Sequence, residues 1–277
     1  MADAKQFLEP TPVLDKGFVR LVDSMGGDER IVQAARVSYG KGTKSAREDA
    51  NLIDYLMRHR HTSPFEQVVL TFHLKMPIFV ARQWIRHRTA RLNEISGRYS
   101  IMEDAFYVPE SERVKGQDTV NKQGSNGKLL MHPTAFTKAT EMQQEQQYAS
   151  YEQALEMGVA RELARINLPL SLYTEMYWQI DLHNLFHFLA LRLDSHAQWE
   201  IREYARAIAD AAQAVAPIAY QAFERHRLNA VTLSSDEMAI LKQCLGADMV
   251  REQVEQSDLR PSRQRELLAK LGMVASE

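Results

Sequence analysis

"QVVLTFHLKMPIFVARQWIRHR", residues 67–88, changes period in its middle. The first half alternates Val68, Leu70, Phe72, Leu74 and Met76 against Val69, Thr71, His73 and Lys75, the two-residue repeat of a strand. Pro77 follows at once, where its fixed φ and missing N–H suit the first position of a helix. "PIFVARQWIRHR" fits that helix, with Val80 and Trp84 one turn apart. A strand feeding directly into a helix sets the pattern for the rest of the chain.

"FVRLV" near residue 18 reads as another short strand. "DERIVQAARVS" reads as a helix with Asp28 as its acidic cap. "SAREDANLIDYLMRHRH" reads as a second helix, capped by Ser45 and striped by Leu52, Ile53, Leu56 and Met57. "LYTEMYWQID" alternates as a strand. It runs into "DLHNLFHFLALRL", a helix with Asp181 as cap and Leu182, Leu185, Phe186 and Leu189 on its buried face. "AQWEIREYARAIADAAQAVAP" reads as a helix ended by Pro217. Residues 109–134 are polar, Gly-bearing and aperiodic, so a long mobile loop is expected there. A polar helix over about 135–166 follows it, and two short helices are expected from 235. The spacing predicts one α/β (α+β) domain over residues 1–277, helix-rich, with a small mixed sheet and a C-terminal helical extension at 235–277. Several helical faces are apolar enough to want a partner subunit.

The 277 residues are ample for a sizeable core. Formal net charge is −2, which argues against a general nucleic-acid partner. No apolar run reaches membrane-span length, and "MADAKQFLEP" has no signal pattern. The single cysteine, Cys244, excludes an internal disulfide and points to a reducing cytoplasm. It lies beside the apolar face of Met238, Leu241 and Leu245, and reads as a small core residue rather than a reactive thiol.

Against that nearly neutral background stands "RQWIRHRTARLNEISGRYS", residues 82–100, with five arginines and His87 between Arg82 and Arg98. Arg82 and Arg86 share a helical face, and no acidic residue lies between 82 and 93 to pair with them. A solvated, salt-bridged helix end fits poorly. Guanidinium forks suit phosphates and carbonyl oxygens, and Asn93, Glu94 and Ser96 add the donors and acceptors that a sugar and a base require. No G-x-x-x-x-G-K or G-x-G-x-x-G occurs, so a phosphate-bearing ligand would be held without a Walker loop or a Rossmann crossover.

Arg86-His87-Arg88, seven residues, then Ser96 resembles the signature of the flavin-dependent thymidylate synthases. "HTSPFEQVVLTFHLKMPIFVARQWIRHR" from His61, "NLPLSLYTEMYW" and "LRLDSHAQWEIR" are similar to the family's flanking blocks, in the same order. The resemblance implies a homotetramer with intersubunit sites. Its members methylate dUMP to dTMP with methylenetetrahydrofolate as carbon donor and hydride from NADPH passed through FAD. It implies FAD contacts at Ser63, Glu66, Arg86, His87, Arg88, Asn93 and Glu94, with His183 and His187 packing on the flavin. It implies dUMP contacts at Gln83, Ser96, Arg98, Arg165 and Arg192, with Arg98 and Arg165 on the phosphate and His196 near the nucleotide. Cys244 lies outside every block, so activation of uracil by a thiolate has no candidate here. Arg192 is the expected catalytic group, suited to stabilising charge on a pyrimidine carbonyl oxygen. Ser96 is expected to position dUMP, since no base is visible to activate it as a nucleophile. Arg91 stands where many members carry a small hydroxyl residue and has no role in this reading.

Two other classes compete. His183 and His187 are one turn apart and, with Asp194 or His196, would make a metal-dependent nucleotide phosphohydrolase. A non-catalytic nucleotide-binding module would use the arginines alone.

Overall fold

The computed structural model describes residues 7–38, 46–119, 122 and 124–273. Ser45, the expected cap of the second helix, lies outside them. In chain order the elements begin with β1 Thr11–Val13, β2 Gly17–Met25, α1 Asp28–Ala35, α2 Ala46–Arg58, β3 Val69–Pro77, α3 Ile78–Trp84 and β4 Arg91–Glu94. Then come β5 Lys115–Gln117, β6 Ser125–Leu129, α4 Pro133–Glu156, α5 Arg161–Ala164, β7 Tyr173–Asp181, α6 Leu182–Arg192, α7 Trp199–Val215 and α8 Pro217–Phe223. Three further helices, α9 Ser235–Cys244, α10 Ala247–Glu255 and α11 Pro261–Lys270, close the chain. Two compact units result, Met1–Asn229 and Ala230–Glu277.

The main sheet has the order β1-β2-β3-β7-β4, and every neighbouring pair is antiparallel. It is therefore not the mixed sheet expected. The reason lies in the long β3–β7 pairing, which runs Val69↔Asp181 to Pro77↔Tyr173, so β7 returns against β3 rather than beside it after a crossover. One face carries Val19, Leu21, Leu70, Phe72, Leu74, Met76, Met176, Trp178 and Ile180, all buried. Helices α3, α6 and α7 cover that face. The other face carries Arg20, His73, Tyr177 and Asn93 in one row across four strands. It is only half covered.

The helices after β3 and β7 start at opposite ends of this strand pair. Each folds back over the buried face. A seven-residue and an eleven-residue helix span about 27 Å together, close to the length of a nine-residue strand pair. Their C-terminal ends meet near the middle: the Arg192 guanidinium at the end of α6 donates to the carbonyl of Gln83 in the last turn of α3 at 3.2 Å. Asp181 caps α6 as its position predicts, accepting from the Asn184 N–H at 2.9 Å.

Other expectations change. The third helix stops at Trp84, so Arg86, His87 and Arg88 sit in the turn beyond it, and Arg82 and Arg86 do not share a helical face. Residues 109–134 hold a β5–β6 hairpin rather than a featureless loop. The polar helix over 135–166 is broken at Gly158, whose φ of +81° ends α4. Asp28 does not cap its own helix. Gly27 occupies that position, and Asp28 instead accepts the N–H groups of Ile218 and Ala219 at 2.8 and 2.9 Å. The tail makes three helices, not two. Cys244 is exposed on α9. In that small unit only Val254 and Leu268 are buried among the described apolar side chains, too few to enclose a third.

Candidate active site

At the meeting of α3 and α6, the Arg192 Nε donates to Nε2 of His87 at 3.0 Å. A guanidinium only donates, so Nε2 of His87 carries no proton and the ring's hydrogen is on Nδ1. Burial, then the charge of Arg192, then His187 push the His87 pKa down to about 4, so the ring is neutral near pH 7. Phe188 and His187 pack edge-on against it, at 4.8 and 6.0 Å between ring centroids. Burial likewise lowers the Arg192 pKa, and no carboxylate among the described residues pairs with this guanidinium. Nε and Nη2 are held by protein acceptors, and Nη1 is left for a ligand.

From the same spot a chain of polar contacts leads inward. The Gln83 amide donates to Oε1 of Gln198 at 2.5 Å, and the Gln198 amide donates to Oε2 of Glu200 at 2.8 Å. Glu200 is 3% exposed. Its carboxylate takes two bonds from Arg113, at 2.8 and 3.2 Å, and one from the Tyr107 hydroxyl at 3.2 Å. Beyond it, a polar cavity of about 410 Å³ is lined by Arg113, Gln117, His196, Gln198 and Arg202. His196 is exposed there and bonded to Asp194 at 2.8 Å.

A second cavity, about 170 Å³, lies between α2 and α6. His61, Thr62, Phe65, His183, His187 and Phe186 line it, with Arg60 and Arg227 at its rim. Burial, and after it the charge of Arg60, lower the Arg227 pKa. Two guanidinium groups held this way attract an anion. Ser63 and Glu66 are exposed on the turn beside the cavity and do not line it. Among the described residues no group of three side chains stands close enough to hold a metal ion, and Asp194 is engaged with His196.

The far end of the signature lies elsewhere. Strand β4 carries Asn93 opposite Tyr177 and Glu94 opposite Met176 on the open edge of the sheet. Thr174 donates to Glu94 at 2.6 Å. Past it, Ser96 Oγ accepts from the Arg98 N–H at 3.3 Å, and Arg98 pairs with Glu162 at 3.3 Å. Arg165 lies directly on Gly97: a Cβ there would be 3.0 Å from Arg165 Cδ and 2.9 Å from Met102 Sδ. The structure thus gathers Ser96, Arg98 and Arg165 in one corner, and Gln83, His87 and Arg192 in another. No hydrogen bond or ion pair joins the two corners among the described residues. The three steps of β4 alone span about 10 Å. Arg86, Arg88 and Arg91 are exposed and make no ion pair with a described residue.

The sequence profile described as thymidylate synthase complementing protein matches residues 20–218. The chain belongs to this family. A Treponema denticola relative, a flavin-dependent thymidylate synthase, is 60% identical over 232 residues, covering 83% of this chain and 87% of the relative. A Thermus thermophilus protein of the same description is 58% identical over 260 residues, covering 94% and 95%. Among solved structures, the UMP/dUMP methylase PolB of Streptomyces cacaoi, bound with 5-Br dUMP, superposes with a TM-score of 0.72 at 33% identity. It covers 79% of this chain and 99% of its own. Both corners and the Glu200 chain lie inside the matched span of the family. Arg227 and the unit from Ala230 lie beyond it.

Sequence reasoning assigned no role to Arg60, Arg113, Gln198, Glu200 and Arg227. Gln198 and Glu200 stood in the quoted block "LRLDSHAQWEIR", but α7 carries other charged residues, Arg202, Glu203, Arg206 and Asp210, and nothing in the spacing set Glu200 apart. Nothing in the sequence pointed to Arg227, which reaches its cavity only through the packing of α8 on α2.

Proposed function

We propose that the chain is a flavin-dependent thymidylate synthase: it methylates dUMP to dTMP, with methylenetetrahydrofolate as carbon donor and NADPH as source of hydride by way of FAD. The observation that carries this reading is the fixed, half-buried Arg192. Methylation at carbon 5 of uracil puts negative charge on a pyrimidine carbonyl oxygen. Nη1 of Arg192 is a rigid donor for that oxygen, on a guanidinium already partly desolvated. A neutral His87 holds it without competing for the charge. Cys244 lies outside the unit that holds these residues, so polarisation of the ring stands in place of thiolate attack.

We assign Gln83, Ser96, Arg98, Arg165 and Arg192 to dUMP. Ser96, already accepting from the Arg98 N–H, positions the nucleotide, and Arg98 and Arg165 take its phosphate. Arg86, His87 and Arg88 lie along FAD, with Ser63, Glu66, Asn93, Glu94, His183 and His187 around it. The guanidinium groups of Arg86 and Arg88, without an ion pair among the described residues, and the pair Arg60 and Arg227 fit a dinucleotide's pyrophosphate. Bound FAD supplies the hydride transfer that no side chain performs. His183 and His187 sit on a wall with Phe65 and Phe186, suited to a flat ring.

The separation of the two corners supports a homotetramer with sites shared between subunits. A second copy bringing its Ser96–Arg98–Arg165 corner to this Arg192 joins a phosphate site to a ring site. The half-covered sheet face, where Tyr177 and Asn93 are exposed, supports the same reading. No helix of the described residues is long and apolar enough to cross a membrane, and we place the enzyme in the cytoplasm.

Purified protein tests this directly. It is expected to be yellow, to have the mass of four chains, and to form dTMP from dUMP and methylenetetrahydrofolate once reduced by NADPH. Colourless protein that releases phosphate from dUMP would favour the hydrolase instead.

A further inference from the structure

We infer that buried Glu200, acting through Gln198, fixes the orientation of the Gln83 amide and so makes the site read uracil and refuse cytosine. The inference rests on the assignment of Gln83 and Arg192 to dUMP. An amide looks alike at both ends, and its direction is decided by its partners. Glu200 decides it here. Its carboxylate receives two bonds from Arg113 and one from Tyr107, and it only accepts. Burial holds the Tyr107 hydroxyl protonated, so this partner remains a donor.

The group that Gln198 turns toward Glu200 must therefore be its NH2, as the 2.8 Å contact shows. The Gln198 carbonyl then faces Gln83, and Gln83 must answer with its own NH2. What remains at the end of the chain is the carbonyl oxygen of Gln83, an acceptor. The same residue's backbone carbonyl holds Nη2 of Arg192, whose Nη1 is an available donor. A donor beside an acceptor complements the C=O and N3–H edge of uracil. Cytosine has a lone pair at N3, and it would meet the lone pairs of the Gln83 oxygen. Glu200 and Gln198 are thus positioning residues, and Gln83 is the residue that reads the base.

The test measures binding of dUMP and dCMP by calorimetry to the FAD-loaded wild type and two variants. Wild type is expected to prefer dUMP by about 100-fold, the discrimination one matched against one opposed hydrogen bond gives. Glu200→Gln places an amide where the carboxylate stood, so the chain loses its single direction. Gln198→Leu cuts the chain and leaves the Glu200–Arg113 pair intact, which guards against a folding defect in the first variant. In both, the dUMP-to-dCMP ratio is expected to fall at least tenfold, with dCMP binding more tightly than in wild type. A purely structural role loosens both nucleotides equally and leaves the ratio alone. That result in both variants overturns the inference, as does a wild type that binds the two nucleotides alike, the result if Gln83 takes a sugar hydroxyl. Wild type that binds neither nucleotide overturns the assignment of the dUMP site itself.

Discussion

Arg192 Nε and His87 Nε2 lie 3.0 Å apart, joining the ends of two helices that start at opposite ends of the β3–β7 pair. The contact holds the guanidinium plane still, and Gln83 O holds it at a second point. Arg192→Ala is expected to keep bound flavin and the fold, while dTMP formation falls on the order of 10²- to 10³-fold, as when a preorganised donor is removed. Arg192→Lys is not expected to rescue it, because one ammonium cannot serve an imidazole, a carbonyl and a ligand in a common plane. Steady-state turnover, normalised to flavin content, checks both. Normal turnover in a folded alanine variant would sink the assignment.

The same contact sets a pH limit. His87 titrates near 4 in the fold against an ordinary value of 6.5. Between those values the unfolded chain binds more protons than the native one, so stability rises with pH across that window. The contribution is present above about pH 6.5 and is lost as pH falls toward 4. His87→Gln keeps an acceptor for Arg192 and does not titrate. Its melting temperature is expected to drop less than that of wild type between pH 7 and pH 4.5. Parallel thermal-shift curves for the two proteins would refute the role given to this imidazole.

The β3–α3 and β7–α6 units were legible because each switches from a two-residue to a helical repeat at a marked residue, Pro77 or Asp181. The buried stripes Leu70, Phe72, Leu74 and Met176, Trp178, Ile180 then fix which way the helices fold. Sheet direction was not legible, since alternation reports a strand's faces and says nothing of its neighbour. Strand β4 was hidden for a related reason: all four of its residues are exposed, so no apolar repeat marks it. The signature stretch implies FAD contacts and dUMP contacts interleaved in one short sequence. In space β4 stretches it into two corners. The Glu200 chain was invisible because it depends on side chains from four segments meeting, and no spacing records that.

Cys244 offers a clean check on the thiol route. It is exposed on α9, and no candidate site residue belongs to that unit. Cys244→Ala is expected to leave turnover within about twofold of wild type, as for a surface substitution that touches no specific contact. The reaction should also resist thiol-alkylating reagents. A folded but inactive Cys244→Ala protein would reopen covalent catalysis.

Asp28 ties the start of α1 to the start of α8 across 190 residues. Pro217 opens α8 without an N–H, and the next two donors, Ile218 and Ala219, find no cap on Ala216. Asp28 supplies both acceptors, a helix cap delivered from another element. Asp28→Ala is expected to cost about 1–2 kcal/mol, the upper part of the range for losing a cap. Asp28→Asn, with one acceptor oxygen left, should cost less. Urea midpoints at constant slope would show it, and an unchanged midpoint in the alanine variant would discount the tether.

Gly97 is where the corner of Ser96, Arg98 and Arg165 is most tightly built. The strain of a side chain there is steric, since its Cβ would meet Met102 Sδ at 2.9 Å and Arg165 Cδ at 3.0 Å. Met102 is buried and has little room to yield, so Arg165 must move. Gly97→Ala is expected to destabilise the protein by about 1–2 kcal/mol through overpacking. If Arg165 binds the dUMP phosphate, its KM for dUMP should rise about tenfold, with kcat at saturation little changed, the pattern for lost ground-state binding. Arg165→Ala should raise KM by a similar factor. The two substitutions combined should then cost little more than Arg165→Ala alone, because they act through one guanidinium. If the glycine substitution raises KM as much in the Arg165→Ala background as in wild type, its effect does not pass through Arg165, and the corner is held together by something else.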